Sequence, residues 1–203
     1  MRYLMTHSLL YSWLYAMKGN PYEDLTTERD AEEEFLRVLR REPTETTEAM
    51  RNGIEFEDLV TQIAAGEDVD TEHKWYAAAV KAAEKIKDGT VQYKAKAETM
   101  INGIRVLLYG RIDFLKAGEV IDTKFSKSYE RGKYFDSTQH PMYLRLIPEA
   151  HSFTYLVSNG TEVWSETYRR DETPPIEPVI AYFFCWLERK GWMDIYKKHW
   201  EAL

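Results

Sequence analysis

The stretch from residue 104 to 126, IRVLLYGRIDFLKAGEVIDTKFS, sets the tightest limit on what this chain can fold into. Two runs rich in Ile, Val, Leu and Phe flank Ala117-Gly118, so they read as adjacent strands, 104–115 and 119–126, joined by a tight turn. Asp113 and Asp122 are symmetric about that turn. On opposed strands their Cβ atoms would stand about 4.5–5.5 Å apart on one sheet face. Lys124 follows Asp122 by two residues and Arg111 precedes Asp113 by two, so strand periodicity brings both to the same face. Ile112, Phe114, Ile121, Thr123 and Phe125 are expected on the opposite face, in the core. Two carboxylates that close repel unless something neutralises them. A hard divalent cation does so, and all-oxygen ligation suits Mg²⁺ or Mn²⁺. The competing reading is a solvated sheet face with an ordinary Asp–Lys pair, and an Asp-x-Lys alone is too common to decide.

The flanking sequence embeds these strands in helices. Residues 6–18 carry Leu9, Leu10, Trp13, Leu14 and Met17 at helical spacing, with Thr6 or Ser8 as cap and a stop at Asn20-Pro21-Tyr22. Residues 28–42 read as a charged, solvated helix. Thr46 or Thr47 caps a third helix running to about Ala65, with Met50, Ile54, Leu59, Val60 and Ile63 as its apolar positions. Thr71 opens a fourth, which Gly89 stops. Residues 91–99 alternate as a strand, and Asn102-Gly103 is a hairpin signal into the central strands. A helix over 134–147, a strand over 152–158, a hairpin at SNGTE and a strand over 162–169 follow. After the Pro-rich break come helices over 176–189 and 192–202. This order predicts one α/β domain over residues 1–203, a mixed sheet flanked by helices. Its core spans about 46–160, with a helical part at 1–45 and a strand and helices at 161–203.

Composition narrows the setting. Cys185 is the single cysteine, which rules out an internal disulfide and a multi-cysteine metal site and fits a reducing, cytoplasmic compartment. The apolar run LLYSWLYAM is too short for a membrane span and lacks a signal peptide's flanks, so no membrane partner is expected. The net charge of −7 does not advertise nucleic-acid binding. Locally, however, KFSKSYERGK gathers Lys124, Lys127, Arg131 and Lys133 around Phe125 and Tyr129. Such cations can meet phosphates and such rings can stack on bases, although a plain polar loop has the same look. The five histidines show no metal-ligand spacing and read as structural or exposed. No Walker loop is present, so any ATP-driven motor would be another chain.

GRID followed by VIDTK resembles the core of the PD-(D/E)XK nuclease superfamily. Asp113 matches its first aspartate, with Ile112 in place of the proline, and Asp122-Thr123-Lys124 matches the (D/E)XK element. GIEFE, from Gly53 to Glu57, resembles the Gly-x-x-x-His/Glu motif of RecB-type members, with Glu57 where RecB has histidine, as in phage exonucleases of the superfamily. QHPMY, from Gln139 to Tyr143, resembles their Gln-x-x-x-Tyr motif, with Pro141 blurring the helical spacing. The motifs occur in the family's order over about residues 46–160.

The resemblance implies a restriction-endonuclease-like αβββαβ core with additional N- and C-terminal helices. It implies a metal-dependent DNA nuclease, most closely a small phage-type exonuclease acting on linear DNA ends in recombination, repair or DNA processing. Glu57, Asp113 and Asp122 would hold one or two Mg²⁺ or Mn²⁺ with the Thr123 carbonyl, and Lys124 would serve the chemistry. Gly53 would let the helix carrying Glu57 approach the sheet. Gln139 and Tyr143 would line the cleft, with Arg111, Lys127, Arg131 and Lys133 as substrate contacts. Many relatives carry a four-cysteine iron–sulfur cluster, which Cys185 alone excludes here. THSLLYSWLYAM resembles their opening helix without its cysteine. A homo-oligomer, a recombination partner protein and the cytoplasm of a phage host are compatible surroundings. The competing function is a nuclease fold that binds DNA or protein without turnover.

Overall fold

A computed structural model describes residues 1–18 and 28–202. Along them run β1 (Tyr3–Met5), α1 (His7–Lys18), α2 (Glu28–Leu39), α3 (Glu48–Ala65), α4 (Tyr76–Ile86), β2 (Thr90–Ile101), β3 (Ile104–Lys116), β4 (Glu119–Phe125), α5 (Gln139–Leu146), β5 (Ser152–Ser158), β6 (Val163–Arg169), α6 (Glu177–Lys190) and α7 (Met193–His199). The local signals explain most boundaries. Thr6 Oγ1 accepts from Leu9 N at 3.2 Å, so Thr6 rather than Ser8 caps α1. Thr47 caps α3 through Met50 N at 3.2 Å, and Gly66 ends it with a left-handed φ of 73°. Asn102 and Gly103 both take positive φ, 49° and 75°, as a primed two-residue hairpin turn requires. The expected stop at Asn20-Pro21-Tyr22 lies outside the described residues.

Three expectations need correction. α4 begins at Tyr76 rather than Thr71, because the Asp70 and His73 side chains take the backbone N–H groups of Glu72 (2.9 Å) and Trp75 (3.2 Å) and hold the segment in turns. α5 begins at Gln139 rather than 134, the late start near 140 that Pro141 implies, with the proline in the first turn, where a missing N–H costs nothing. On α3, Met50 and Ile54 are exposed, and the buried face is Phe56, Leu59 and Val60.

The sheet is mixed. β3 is lined along one edge by β2, antiparallel from Thr90↔Leu115 to Ile101↔Ile104. Its other edge is shared. β1 pairs in parallel with residues 106–108, and β4 pairs antiparallel with residues 114–116. The sheet continues from β4 to β5, in parallel, and to β6, antiparallel. β1 went unread because three residues are too few to show alternation. Its placement leaves residues 109–113 of β3 without a strand neighbour on that edge, and α5 fills the gap. Tyr143 OH donates to the Arg111 carbonyl at 3.0 Å. A Cβ on Gly110 would stand 2.8 Å from Tyr143 Cε1 and from Leu146 Cδ1, so this close approach needs glycine.

Helices cover both sheet faces. Val120 and Tyr155 belong to the core under α1, α2, α5, α6 and α7, while their neighbours Ile121 and Leu156 belong to the core under α3 and α4. α2 is therefore more than a solvated helix, because it buries Phe35 and Leu39. The expectation of one shared face also fails at a single place: Ile112 lies in the first core and Phe114 in the second. The alternation changes phase at Asp113. There the β2–β3 pairing skips Gln92, whose φ is 53°. Phe114 and Ile121, opposed across the hairpin and both buried, each contribute about 1.5–3 kcal/mol by burial and clamp the turn end against α3 and α4. Among the described residues no helix is long and apolar enough to cross a membrane.

Candidate active site

The β3–β4 ladder runs from Lys116↔Glu119 to Phe114↔Ile121 and stops. Asp113 and Asp122, next in register, are where the strands part. Asp113 Oδ2 takes the Thr123 N–H at 3.3 Å in place of a backbone carbonyl, while β4 stays paired with β5 through Phe125. Asp122 is buried. Gln139 Nε2, at the start of α5, donates to its Oδ1. Lys124 Nζ forms an ion pair with its Oδ2 at 2.6 Å. Thr123 Oγ1 is a buried oxygen without a hydrogen-bond partner.

The charges in this cleft act on one another. Burial, then the Asp122 charge and then Glu57 push the Asp113 carboxyl up to about 9, so without a cation it keeps its proton at neutral pH. Burial, followed by Asp122, also raises Glu57. Burial draws Lys124 down, but the charge and contact of Asp122, with Asp113 and Glu57, together outweigh it and hold the ammonium above its ordinary value.

Glu57 joins from α3 at the rim. Its Oε1 accepts from Gln92 Nε2 at 2.7 Å, and Gln92 Oε1 accepts from Arg111 Nε. Gln92, on an unremarkable strand position, had no signal in the sequence; its left-handed backbone turns its side chain into this relay. Glu55 points away, to His73 at 2.9 Å. The space around Gly53 is open, so close approach of helix to sheet does not explain that glycine.

His7 also faces this region. Its ring packs edge-on against Tyr143 with centroids 5.8 Å apart, and its Nδ1 is buried without a partner. Burial, then the Lys124 charge, lower its pKa to about 4, so it is neutral. The signal that could have found it is its position: the residue after Thr6 opens a helix directly after β1.

Gln139 and Tyr143 are buried behind the cleft. One holds Asp122 and the other holds the Arg111 backbone, so both act as supports. Lys127, Arg131 and Lys133 are exposed, and Lys133 Nζ donates within its own loop, to Ser126 Oγ at 2.7 Å and Ser128 O at 2.9 Å. Phe125 packs on Trp75 with ring centroids 4.3 Å apart and does not reach out to a base. The loop is pinned by Glu166 of β6, whose carboxylate accepts from Tyr129 OH (2.6 Å), Gly132 N (3.1 Å), Tyr134 N (3.2 Å) and Tyr168 OH. This anchor was not legible in the sequence either.

Among the described residues no three His, Cys, Asp or Glu side chains form a ready-made metal cage. The donors that do converge are two carboxylates, Asp113 and Asp122, beside the Thr123 backbone. Such a set fits a hard cation that keeps much of its own water, as Mg²⁺ does.

No protein-family model matches the sequence, and no curated protein matches it. The crystal structure of SSO0001 superposes with a TM-score of 0.56 at 11% sequence identity, covering 93% of this chain and 78% of that one. At that identity the likeness shows a shared fold.

Proposed function

We propose that this chain is a metal-dependent deoxyribonuclease, and more narrowly an exonuclease acting on linear DNA. The observation that carries the reading is the meeting of Asp113, Asp122 and Lys124 where β3 and β4 part. Asp113, Asp122 and the Thr123 carbonyl would hold Mg²⁺ or Mn²⁺, with Glu57 available at the rim. The bound ion would polarise a phosphate and make water a better nucleophile at neutral pH. Gln139 orients the Asp122 carboxylate. Lys124, kept charged by Asp122, faces the cleft and stabilises negative charge developing on phosphate oxygens. Arg111 offers a further cation to the substrate, from a position fixed by Gln92.

A second reading, a nuclease fold that binds DNA or protein without turnover, draws on Lys124 being engaged by Asp122 and Glu57 by Gln92. One assay separates them: labelled linear and circular DNA, single- and double-stranded, with RNA alongside, incubated with Mg²⁺, Mn²⁺ or EDTA. The nuclease reading expects cleavage with metal only, slowed about 10²–10³-fold in Lys124→Ala. Binding without cleavage under every condition favours the second.

A further inference from the structure

The chain is acidic overall, yet one sheet face is basic. On β2 the side chains of Lys94, Lys96, Glu98 and Met100 are exposed, and their register partners on β3 are Arg111, Tyr109, Leu107 and Arg105. α3 and α4 cover the turn end of this face, where Phe114 lies, and leave the rest open among the described residues. Glu98 is paired with Arg2. Lys94, Lys96 and Arg105 have no carboxylate partner among the described residues. Lys94 and Arg111 are directly opposed, an arrangement that costs stability unless an anion lies between them. The row ends at Arg111, two residues from Asp113.

We infer that this β2–β3 face is the track along which a DNA strand reaches the site, with Lys94 and Arg111 together, then Lys96, then Arg105 contacting phosphates along it and Tyr109 offering its ring between them. This rests on the nuclease reading above and extends it to a substrate path. The dimensions fit. Six residues of strand from Arg105 to Arg111 span about 20 Å, against about 3.4 Å per phosphate along one strand of duplex. The face would therefore engage roughly six nucleotides leading to the cleft. Its cations are on rigid strands, unlike those of the 126–137 loop, where Lys133 is occupied by the loop's own oxygens. The charge pattern favours a polyanion and continuity with Asp113 favours DNA, the polymer that the proposed chemistry consumes.

The test uses the full chain and a fluorescein-labelled 20-nucleotide DNA, as duplex and as single strand. Affinity is read by anisotropy in Ca²⁺ from 50 to 300 mM KCl, and single-turnover cleavage is read in Mg²⁺ at saturating protein. Lys96→Gln/Arg105→Gln should flatten the salt dependence by about 1.8 on duplex or about 1.4 on a single strand, because each lost phosphate contact removes about 0.9 or 0.7. At 0.1 M salt this corresponds to roughly 60-fold or 25-fold weaker binding. The saturating cleavage rate should be unchanged, since neither residue touches the reacting atoms, and the charge-keeping Lys96→Arg should bind like wild type. Both substituted positions are exposed, and the melting temperature of each variant serves as the folding control. If wild type binds and cleaves while the double variant keeps its affinity and salt slope, the track is overturned and the nuclease reading stands. If wild type neither binds nor cleaves any form, both fall. A double variant that binds normally but cleaves slowly at saturation also overturns the track, because the residues would then act on chemistry.

Discussion

Replacing Asp113 by asparagine removes one of two buried carboxylates and keeps both its shape and an acceptor for the Thr123 N–H. Its carboxyl moves from 3.8 to about 9 on folding of the metal-free chain. Between those values the unfolded chain has released the proton and the folded chain still holds it, so stability is full at low pH and falls as pH rises through the window. Each unit costs about 1.4 kcal/mol. From 3.8 to pH 7 is about three units, so Asp113→Asn can gain at most about 4 kcal/mol at pH 7, and nothing near pH 4. Asp122→Asn also relieves the repulsion, but it takes from Lys124 the carboxylate 2.6 Å away and weakens the contact with Gln139. Breaking a well-buried pair costs about 3–5 kcal/mol. With the Lys124 side chain 32% exposed, solvent screening reduces that loss, and the Asp113 variant should exceed the Asp122 variant by about 1–3 kcal/mol. The assay is urea unfolding in EDTA at several pH values from 4.5 to 9. An Asp113→Asn protein less stable than wild type at pH 8, or a gap that does not close toward pH 4, refutes the reasoning. Added Mg²⁺ or Mn²⁺ at pH 8 should raise the melting temperature of wild type, with proton release, and leave that of Asp113→Asn nearly unchanged.

Lys124→Ala should cut single-turnover cleavage by about 10²–10³-fold while DNA affinity in Ca²⁺ holds. Lys124→Arg should not restore the rate, because a planar guanidinium cannot take the place of a compact ammonium; full activity in that variant argues against the role. Glu166→Gln faces donors to which a carboxylate accepts on both oxygens, so it should destabilise by about 1–3 kcal/mol and speed proteolysis within 126–137; an unchanged cutting rate there would mean that Glu166 does not anchor the loop. Burial raises the Glu166 carboxyl, but the hydrogen bonds from Tyr129, Tyr168, Gly132 and Tyr134 outweigh it and hold it below its usual value. The loop's anchorage should therefore be present above the ordinary glutamate range and weaken as pH falls through the depressed value, read by the same proteolysis. Gly110→Ala drives a methyl into the buried Tyr143 ring and Leu146, for a loss of about 1–3 kcal/mol seen as a lower unfolding midpoint; no loss would mean that α5 can retreat freely.

The element order after β1, the two primed hairpins and the opposition of Asp113 to Asp122 were legible in the chain, because each depends on residues only a few positions apart. Asn102-Gly103 and Ala117-Gly118 carry their turn chemistry locally, and a fixed turn sets the register of the strands on either side. Lys124 follows Asp122 onto its face for the same reason. The phase change at Asp113 broke the same rule, since it arises where Gln92 on the neighbouring strand adopts a left-handed conformation. Gln92 meets Glu57 across 35 residues, and Glu166 reaches Tyr129 across 37. Neither meeting has a local pattern, because the partners come together only once the sheet and its helices have packed. The gap on β3 between β1 and β4, which α5 enters through Gly110 and which His7 borders, likewise exists only after strands from both ends of the chain have docked on β3. Short-range backbone geometry thus sets which charged residues oppose one another across the hairpin, and long-range packing sets their burial, which is what turns an Asp–Asp–Lys pattern into a coupled, partly protonated cluster.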